Sequence, residues 1–135
     1  MNSNEEVQIQ EAINAYLDAI ETGDEKYFKR AFYDNSVVIN GNENDPEKSI
    51  MLIDVFSERI KTRIQDGLKS QETPRNIDIK YVGTIANVRI DFMLEIGDEV
   101  HYGSDFINLV KRDDIWKISQ KLYYVTETEE VPIND

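Results

Sequence analysis

The fold is decided by residues 86–96, which read ANVRIDFMLEI. Every second residue of this stretch is apolar: Ala86, Val88, Ile90, Phe92, Leu94 and Ile96. Successive side chains of a β-strand point to opposite faces of a sheet, so an alternation of period two indicates one long strand with one buried face. We expect the even-numbered row to face the core of the protein.

Further strands flank this one. The pair Gly97-Asp98 is typical of a hairpin turn. The segments 100–111 and 115–125 then read as two more strands joined by a short acidic turn, and residues 77–81 alternate in the same way before the first strand. Long neighbouring strands with short connections pair antiparallel, so the C-terminal half predicts an antiparallel meander.

The N-terminal half has helical spacing instead. Residues 7–20 carry an apolar side chain at every third or fourth position, which predicts an amphipathic helix. Gly23 ends this helix, and Asp24 caps a second, short helix over 27–32. The β-branched run at 37–39 then predicts a short strand.

A third helix follows, and its start has two readings. Residues 45–47, Asp-Pro-Glu, resemble a helix cap with proline in the first turn. Apolar residues then recur at helical spacing over 50–64, but 49–51 could also be extended, with the helix beginning near Leu52. Gly67 and Pro74 bracket the loop that we expect after this helix.

These elements predict an α+β fold in which three N-terminal helices pack on a strongly curved, mainly antiparallel sheet, as a cone or open barrel. A chain of 135 residues is one domain by size. We expect that domain to span residues 5–126 and the acidic segment 127–135 to be an unstructured tail. Because long antiparallel strands twist, the sheet curls and leaves a concave cavity of several hundred Å³ under the helices.

Composition narrows the function classes. Asp and Glu number 27 against 15 Lys and Arg, a net charge of −12, so the chain would repel nucleic acid and anionic membranes. There is no cysteine and one histidine, so disulfides, thiol catalysis and cysteine- or histidine-rich metal sites are not expected, and no cofactor is predicted. The expected partner is a small molecule, and the expected location is the cytoplasm.

The chain also resembles a known superfamily. Residues 83–88 (GTIANV), 105–111 (DFINLVK) and 116–118 (WKI), in that order and spacing, resemble the nuclear transport factor 2-like superfamily, and most of all its putative lumazine-binding and SnoaL-like branch. The superfamily includes steroid isomerases, polyketide cyclases, scytalone-type dehydratases and non-catalytic binding domains. The resemblance implies a cone-shaped α+β fold and a homodimer formed through the sheet.

The steroid isomerases of that superfamily suggest three candidate catalytic positions in this chain. They use an aspartate base with a tyrosine and a neutral aspartic acid as oxyanion hole. The resemblance carries the tyrosine to Tyr16, the base to Asn40 and the neutral acid to Asp105. An amide does not accept a proton at physiological pH, so Asn40 argues against the isomerase mechanism.

His101 and Asp105 are the candidate catalytic pair. As residues i and i+4 of one strand they share a face, but they lie too far apart for direct contact, so a ligand or water would have to bridge them. The structural alternatives are an exposed histidine near the hairpin turn, a carboxylate bonded to its strand neighbours, and a core tyrosine at Tyr16.

The last strand supplies the remaining candidates. By parity with Trp116, we expect Tyr124 and Leu122 to face inward and Lys121 and Tyr123 to face outward. A catalytic lysine at 121 would require the opposite parity. Together with Tyr16 and Asn40, the side chains of Trp116 and Tyr124 are the predicted ligand-binding residues.

Three functions compete. The favoured one is a domain that binds a small, partly aromatic molecule in a partly polar pocket. The second is an enzyme of the dehydratase, cyclase or isomerase kind that uses His101 or Asp105 as its acid–base group and acts on a small hydrophobic substrate. The third is a protein–protein module without a functional pocket.

Overall fold

The computed structural model describes residues 3–130. Its helices are α1 (Asn4–Thr22), α2 (Glu25–Ala31), α3 (Pro46–Ser49) and α4 (Ile53–Gln65). Its strands are β1 (Phe32–Asn40), β2 (Ile50–Leu52), β3 (Ser70–Val82), β4 (Ile85–Ile96), β5 (Glu99–Arg112) and β6 (Ile115–Glu130).

The six strands form one open sheet in the order β2-β1-β6-β5-β4-β3. Strands β3 to β6 are an antiparallel meander, as predicted, because short turns join each strand to the next. Strand β1 pairs parallel with β6 and antiparallel with β2. The helices precede the meander and pack on it, so the predicted α+β class is confirmed.

Local signals fix the ends of the helices. The side chain of Ser3 accepts a hydrogen bond from the backbone N–H of Glu6 at the start of α1. Gly23 ends α1 with φ +67°, a left-handed conformation that glycine adopts without a Cβ penalty. Asp24 and Asp45 cap α2 and α3 in the same way as Ser3 caps α1. The predicted helix end at Gly23 and the cap at Asp24 are therefore confirmed.

The core lies between α1, α4 and the concave face of the sheet. From β4 it takes Ala86, Val88, Ile90 and Phe92, which are at most 7% exposed, so the inward orientation predicted for this row is confirmed there. The buried side chains of α1 cover this face, and Trp116 at 1% exposure is the largest fully buried residue. Burying such apolar surface is the main favourable term in folding.

Both readings of the third helix hold in part. The Asp-Pro-Glu cap starts a helix, but α3 is one turn long and ends at Ser49. Residues Ile50–Leu52 are extended as β2, and the amphipathic helix α4 begins at Ile53. The two halves of the predicted helix thus lie on either side of a short edge strand.

The predicted loop at 67–74 is partly wrong, because β3 begins at Ser70 and contains Pro74. Proline is tolerated here since β3 is the edge strand of the sheet. Pro74 pairs with Phe92 and Asn76 with Asp91, so Arg75 is an extra residue. This β-bulge changes which alternate residues of β3 face the core.

A second bulge in β6 makes the prediction for Lys121 and Tyr124 wrong. Asn108 pairs with Gln120 and Leu109 with Ile118, so Ser119 is an extra residue in β6. An inserted residue reverses the alternation beyond it. Lys121 is therefore 4% exposed on the concave face, and Tyr124 is 54% exposed on the convex face.

Strand β6 is longer than the sequence predicts. It continues through Glu130, which pairs with Glu99 at the far end of β5. Residues 127–130, expected as the start of the acidic tail, are thus part of the sheet. The rest of the expected tail, 131–135, lies outside the described residues.

Candidate functional site

A cavity of about 140 Å³ lies between α1, α4 and the concave face of β3–β6. It is smaller than the several hundred Å³ expected from the sequence. Its wall is formed by Tyr16, Ile20, Phe56, Ile60, Arg63, Glu72, Phe92, Leu94, Ile96, His101, Asp105, Lys121, Tyr123 and Val125. Apolar side chains thus share the wall with a concentration of ionisable groups.

Four buried polar side chains form what we call the polar wall: Tyr16, Glu72, Asp105 and Lys121. They come from α1, β3, β5 and β6, and each is at most 6% exposed. The hydroxyl of Tyr16 donates to Oε1 of Glu72 at 2.5 Å. The ammonium of Lys121 lies 3.5 Å from Oδ1 of Asp105. Buried charges need such partners, because their removal from water is costly.

Burial changes the protonation of the polar wall. Desolvation raises the pKa of Glu72 well above its ordinary value, and the nearby negative charge of Asp105 raises this pKa further. Lys121 and the hydroxyl of Tyr16 act in the opposite direction. Desolvation and the charge of Asp105 also raise the pKa of Tyr16. Both raised pKa values favour the protonated, neutral forms of Glu72 and Tyr16.

Three carboxyl oxygens of the polar wall have no hydrogen-bond donor among the described residues. They are Oε2 of Glu72 and both oxygens of Asp105, each fully enclosed. A proton on Glu72 allows a hydrogen bond between the two carboxyl groups, which favours the protonated form. Asp105 still has acceptor capacity that protein donors do not fill. Such an unfilled acceptor beside a cavity is suited to a ligand that donates hydrogen bonds.

Aromatic rings surround Lys121. Its Nζ lies 4.3 Å from the ring centroid of Tyr123, 5.1 Å from that of Phe56 and 5.3 Å from that of Tyr16. The negative faces of aromatic rings attract a cation at these distances. The rings and Asp105 therefore hold the ammonium group at the cavity wall.

Arg63 contributes a second cation to the wall. It extends from the last turn of α4, is half-buried, and donates from Nη1 to the hydroxyl of Ser70 at 3.3 Å. Burial lowers the pKa of its guanidinium, the direction that desolvation gives to any cation. Within residues 3–130 no carboxylate lies within 4.0 Å of this group.

His101 also lines the cavity, four residues from Asp105 on β5. Its Nδ1 is 2.9 Å from the hydroxyl of Thr128, and its Nε2 is 3.7 Å from Oε2 of Glu99. Nδ1 is thus in hydrogen-bond distance of a partner on β6, and no hydrogen bond joins His101 to Asp105 among the described residues. The two predicted catalytic residues share the cavity, but they do not contact each other.

Of the predicted ligand-binding residues, Tyr16 lines the cavity and the other three do not. The side chain of Asn40 accepts a hydrogen bond from the backbone of Asn42 in the turn after β1. Trp116 lies in the filled part of the core, where its Nε1 donates to Oε2 of Glu5 at 2.7 Å. Tyr124 faces outward because of the bulge at Ser119.

Sequence reasoning missed three polar residues of the cavity: Arg63, Glu72 and Lys121. The period-two pattern places Lys121 on the wrong face because a bulge leaves no mark in it. Glu72 falls in the segment predicted as a loop, and Arg63 is an unremarkable charge on an amphipathic helix. Of the ionisable cavity residues, only Tyr16, His101 and Asp105 could be predicted from the sequence pattern or the family resemblance.

Among residues 3–130, no group of three His, Asp or Glu side chains is placed to hold a metal ion. Over the same residues, every helix is too short or too polar to cross a lipid bilayer.

Comparison with known proteins identifies the family. The model of the family described as "Putative lumazine-binding" matches residues 4–124, nearly the whole chain. Among the curated proteins, none matches this sequence.

Solved structures share the fold at low sequence identity. A protein from Novosphingobium aromaticivorans titled a putative scytalone dehydratase has a TM-score of 0.75 at 20% identity, over 96% of this chain and 89% of that one. An NTF2-like protein of unknown function from Shewanella baltica has a TM-score of 0.68 at 21% identity, over 94% and 99%. The hexachlorocyclohexane dehydrochlorinase LinA-type3 of Novosphingobium barchaimii has a TM-score of 0.77 at 10% identity, over 97% and 95%.

Proposed function

The chain belongs to the putative lumazine-binding family of nuclear transport factor 2-like proteins, and on that premise we propose that its cavity binds a small molecule with hydrogen-bond donors. One observation carries the proposal. Asp105 is fully buried at the wall of a cavity, and neither of its oxygens accepts a hydrogen bond from the described residues. Leaving a buried acceptor unpaired costs about 1–3 kcal/mol, and a bound donor would recover this cost.

The dimensions of the cavity limit the ligand to about one ring. An apolar cavity of roughly 150 Å³ accepts benzene, and this cavity has about 140 Å³. The side chains of Ile20, Phe56, Ile60 and Phe92 supply apolar contact for the ring, and Asp105 supplies the acceptor. The proposed ligand is a flat, largely apolar molecule with a hydroxyl or amino group.

Phenol and benzene are the probes that test this function. We expect phenol to shift the amide NMR signals of Tyr16, Glu72, Asp105 and Lys121, with weaker shifts from benzene, which has no donor. Asp105→Asn should abolish the preference for phenol, because the amide forms its own hydrogen bonds and no longer attracts a donor by charge. Exposed Asp54→Asn, on α4, is the matched control. If neither probe shifts the cavity residues, the proposed binding function is wrong.

A second candidate is acid–base catalysis, and the raised pKa of Glu72 favours it. A protonated Glu72 beside an ionised Asp105 gives a proton donor and a proton acceptor at one wall, with Lys121 able to stabilise a developing oxyanion. Asp105 would take a proton from a carbon next to a carbonyl, and the resulting enolate oxygen would accept a hydrogen bond from Lys121. His101 is the weaker candidate for the acid–base group, because its Nδ1 lies at hydrogen-bond distance from Thr128 and it makes no hydrogen bond to Asp105 among the described residues.

Cyclohexanone in D₂O measures that activity directly. An active acid–base group would speed the exchange of its α-hydrogens for deuterium above the buffer rate, and Asp105→Asn would remove the acceleration. Equal exchange with and without protein would contradict catalysis while leaving the binding function in place.

We also propose that the protein is a homodimer through the convex face of the sheet. Support comes from the apolar residues on that face: Phe106 is 48% exposed, Tyr124 is 54% exposed, and Leu122 and Met93 are half-buried. A solution mass of twice 15.7 kDa would agree with this proposal, and Phe106→Glu should lower it. The cytoplasmic location stays a prediction.

A further inference from the structure

Arg63 is a cation at the cavity wall that the polar wall does not use. A guanidinium has five N–H donors, and only one hydrogen bond from Arg63, to Ser70, is present among the described residues. Asp105 is already paired with Lys121, and Glu72 accepts from Tyr16. The charge of Asp105 is therefore balanced by Lys121, and among the described residues no carboxylate balances the charge of Arg63.

We infer that the ligand is an organic monoanion, with a carboxylate on Arg63 and a hydroxyl or amino donor on Asp105. This inference rests on the proposed binding function and adds the chemical class of the ligand. Arginine presents a planar pair of N–H groups that matches the two oxygens of a carboxylate. The apolar residues between the two polar positions fit the hydrocarbon body of such a molecule.

The charge of the site agrees with a single negative charge on the ligand. With Glu72 neutral, the ion pair of Asp105 and Lys121 sums to zero, and Arg63 adds one positive charge. A carboxylate would neutralise this remaining charge. A phosphate, with about two negative charges and a tetrahedral shape, would leave an excess negative charge inside a protein whose total charge is already −12.

Arg63 is also placed where a charged group can enter. It is half-buried, as are Leu94, Ile96, His101 and Val125 around the same cavity, whereas Asp105 is fully buried. The half-buried residues mark the side of the cavity that approaches solvent. A ligand would thus place its donor inside and keep its carboxylate at the entrance, which limits the desolvation of that carboxylate.

Three probes of one ring each test the inference: 4-hydroxybenzoate, phenol and benzoate. We expect 4-hydroxybenzoate to bind at least about tenfold more tightly than phenol, because a charge-assisted hydrogen bond to Arg63 is added. Benzoate, which lacks the donor for Asp105, should also bind more weakly than 4-hydroxybenzoate. Dissociation constants from NMR titration give the comparison.

Arg63→Gln should reduce the affinity for 4-hydroxybenzoate to that for phenol and leave phenol unchanged. Arg59→Gln is the matched control, since Arg59 lies one turn earlier on α4, is exposed and does not line the cavity. If 4-hydroxybenzoate binds no better than phenol, or if Arg63→Gln does not weaken it, the inference is overturned and the binding function survives. If none of the probes binds in the cavity, both are wrong.

Discussion

The bulge at Ser119 divides strand β6 into two halves whose surroundings differ. Before the bulge, Trp116 and Ile118 are buried in a filled core, and the indole N–H donates to Glu5, which also pairs with Lys111 at 2.8 Å. After the bulge, Lys121 and its neighbours line a cavity with unpaired acceptors.

The difference shows that one sheet borders both a filled core and a cavity. In the half of β6 before the bulge, which we call the filled half, the buried indole N–H of Trp116 has its acceptor in Glu5. In the half of β6 after the bulge, which we call the hollow half, Lys121 borders a cavity. The carboxyl oxygens of Glu72 and Asp105 at this cavity have no hydrogen-bond donor among the described residues, although their burial is costly. Unpaired buried groups are expected where a protein binds or reacts rather than where it only folds.

The largest effect is expected from Lys121→Met in the hollow half. Removing the ammonium leaves Asp105 as a buried charge without its partner, and breaking a buried pair in this way costs about 3–5 kcal/mol. Trp116→Phe in the filled half should cost less, about 1–3 kcal/mol, through the lost volume and the lost hydrogen bond to Glu5. Urea unfolding at pH 7 measures both free energies.

Lys117→Met is the control, because Lys117 lies on the same strand before the bulge and has no ion pair among the described residues. It should change the free energy of unfolding by no more than about 0.5 kcal/mol. The double variant Lys121→Met with Asp105→Asn should recover part of the loss, since no unpaired charge stays buried. A cost for Lys121→Met equal to that of Lys117→Met would contradict the pairing.

The next effect is a loss of stability with rising pH, which we expect from Glu72 in the hollow half. Burial and the charge of Asp105 raise the pKa of Glu72 in the folded protein above its ordinary value of 4.5. The folded state therefore holds this proton more tightly than the unfolded state. The resulting stabilisation is complete below pH 4.5 and is lost as the pH rises through the folded pKa, at about 1.4 kcal/mol per pH unit in that window.

Glu72→Gln should remove this slope, because the amide mimics the protonated acid and does not titrate. Urea unfolding between pH 5 and pH 9 would then give a flatter profile for the variant than for the wild type. Glu58→Gln, at an exposed position of α4, should keep the wild-type slope. Parallel profiles for Glu72→Gln and the wild type would mean that Glu72 is ionised in the folded state.

The sequence predicts the apolar core and the helix boundaries well. The alternation over 86–96 gives β4 and its buried row, and the capping residues Gly23 and Asp24 give the helix boundaries. Asp105 is placed correctly on the concave face because β4 and β5 pair without a bulge between them. Patterns of hydrophobic burial are thus readable wherever the period is unbroken.

The polar wall is not predictable in the same way, because two bulges create it. Arg75 is the extra residue of β3, so Glu72 shares the core face with Ile77 in spite of their odd separation. Ser119 does the same for Lys121 in β6. Neither residue marks a bulge by its type, so the period-two pattern assigns the residues beyond it to the wrong face.

The smallest effect is expected at the bulge itself, from Ser119→Ala. The hydroxyl of Ser119 donates to the backbone carbonyl of Asn108 at 3.2 Å, and the net value of such a bond is about 0.5–1.5 kcal/mol. We expect the free energy of unfolding to fall by an amount near the lower limit of this range. The NMR signals of Lys121 should not change, because burial holds both Ile118 and Lys121 inward.

Deleting Ser119 is the informative contrast to Ser119→Ala. Without the extra residue, Ile118, Gln120 and Lys121 would stand opposite Leu109, Asn108 and Ile107 as a regular ladder, so Ile118 and Lys121 would both still face inward. The deletion should therefore preserve phenol binding, as Ser119→Ala does, and cost less than Lys121→Met, because only the local bend of the bulge is lost. If the deletion abolished phenol binding, the bend at Ser119 would be needed to form the polar wall, in addition to the inward orientation of Lys121.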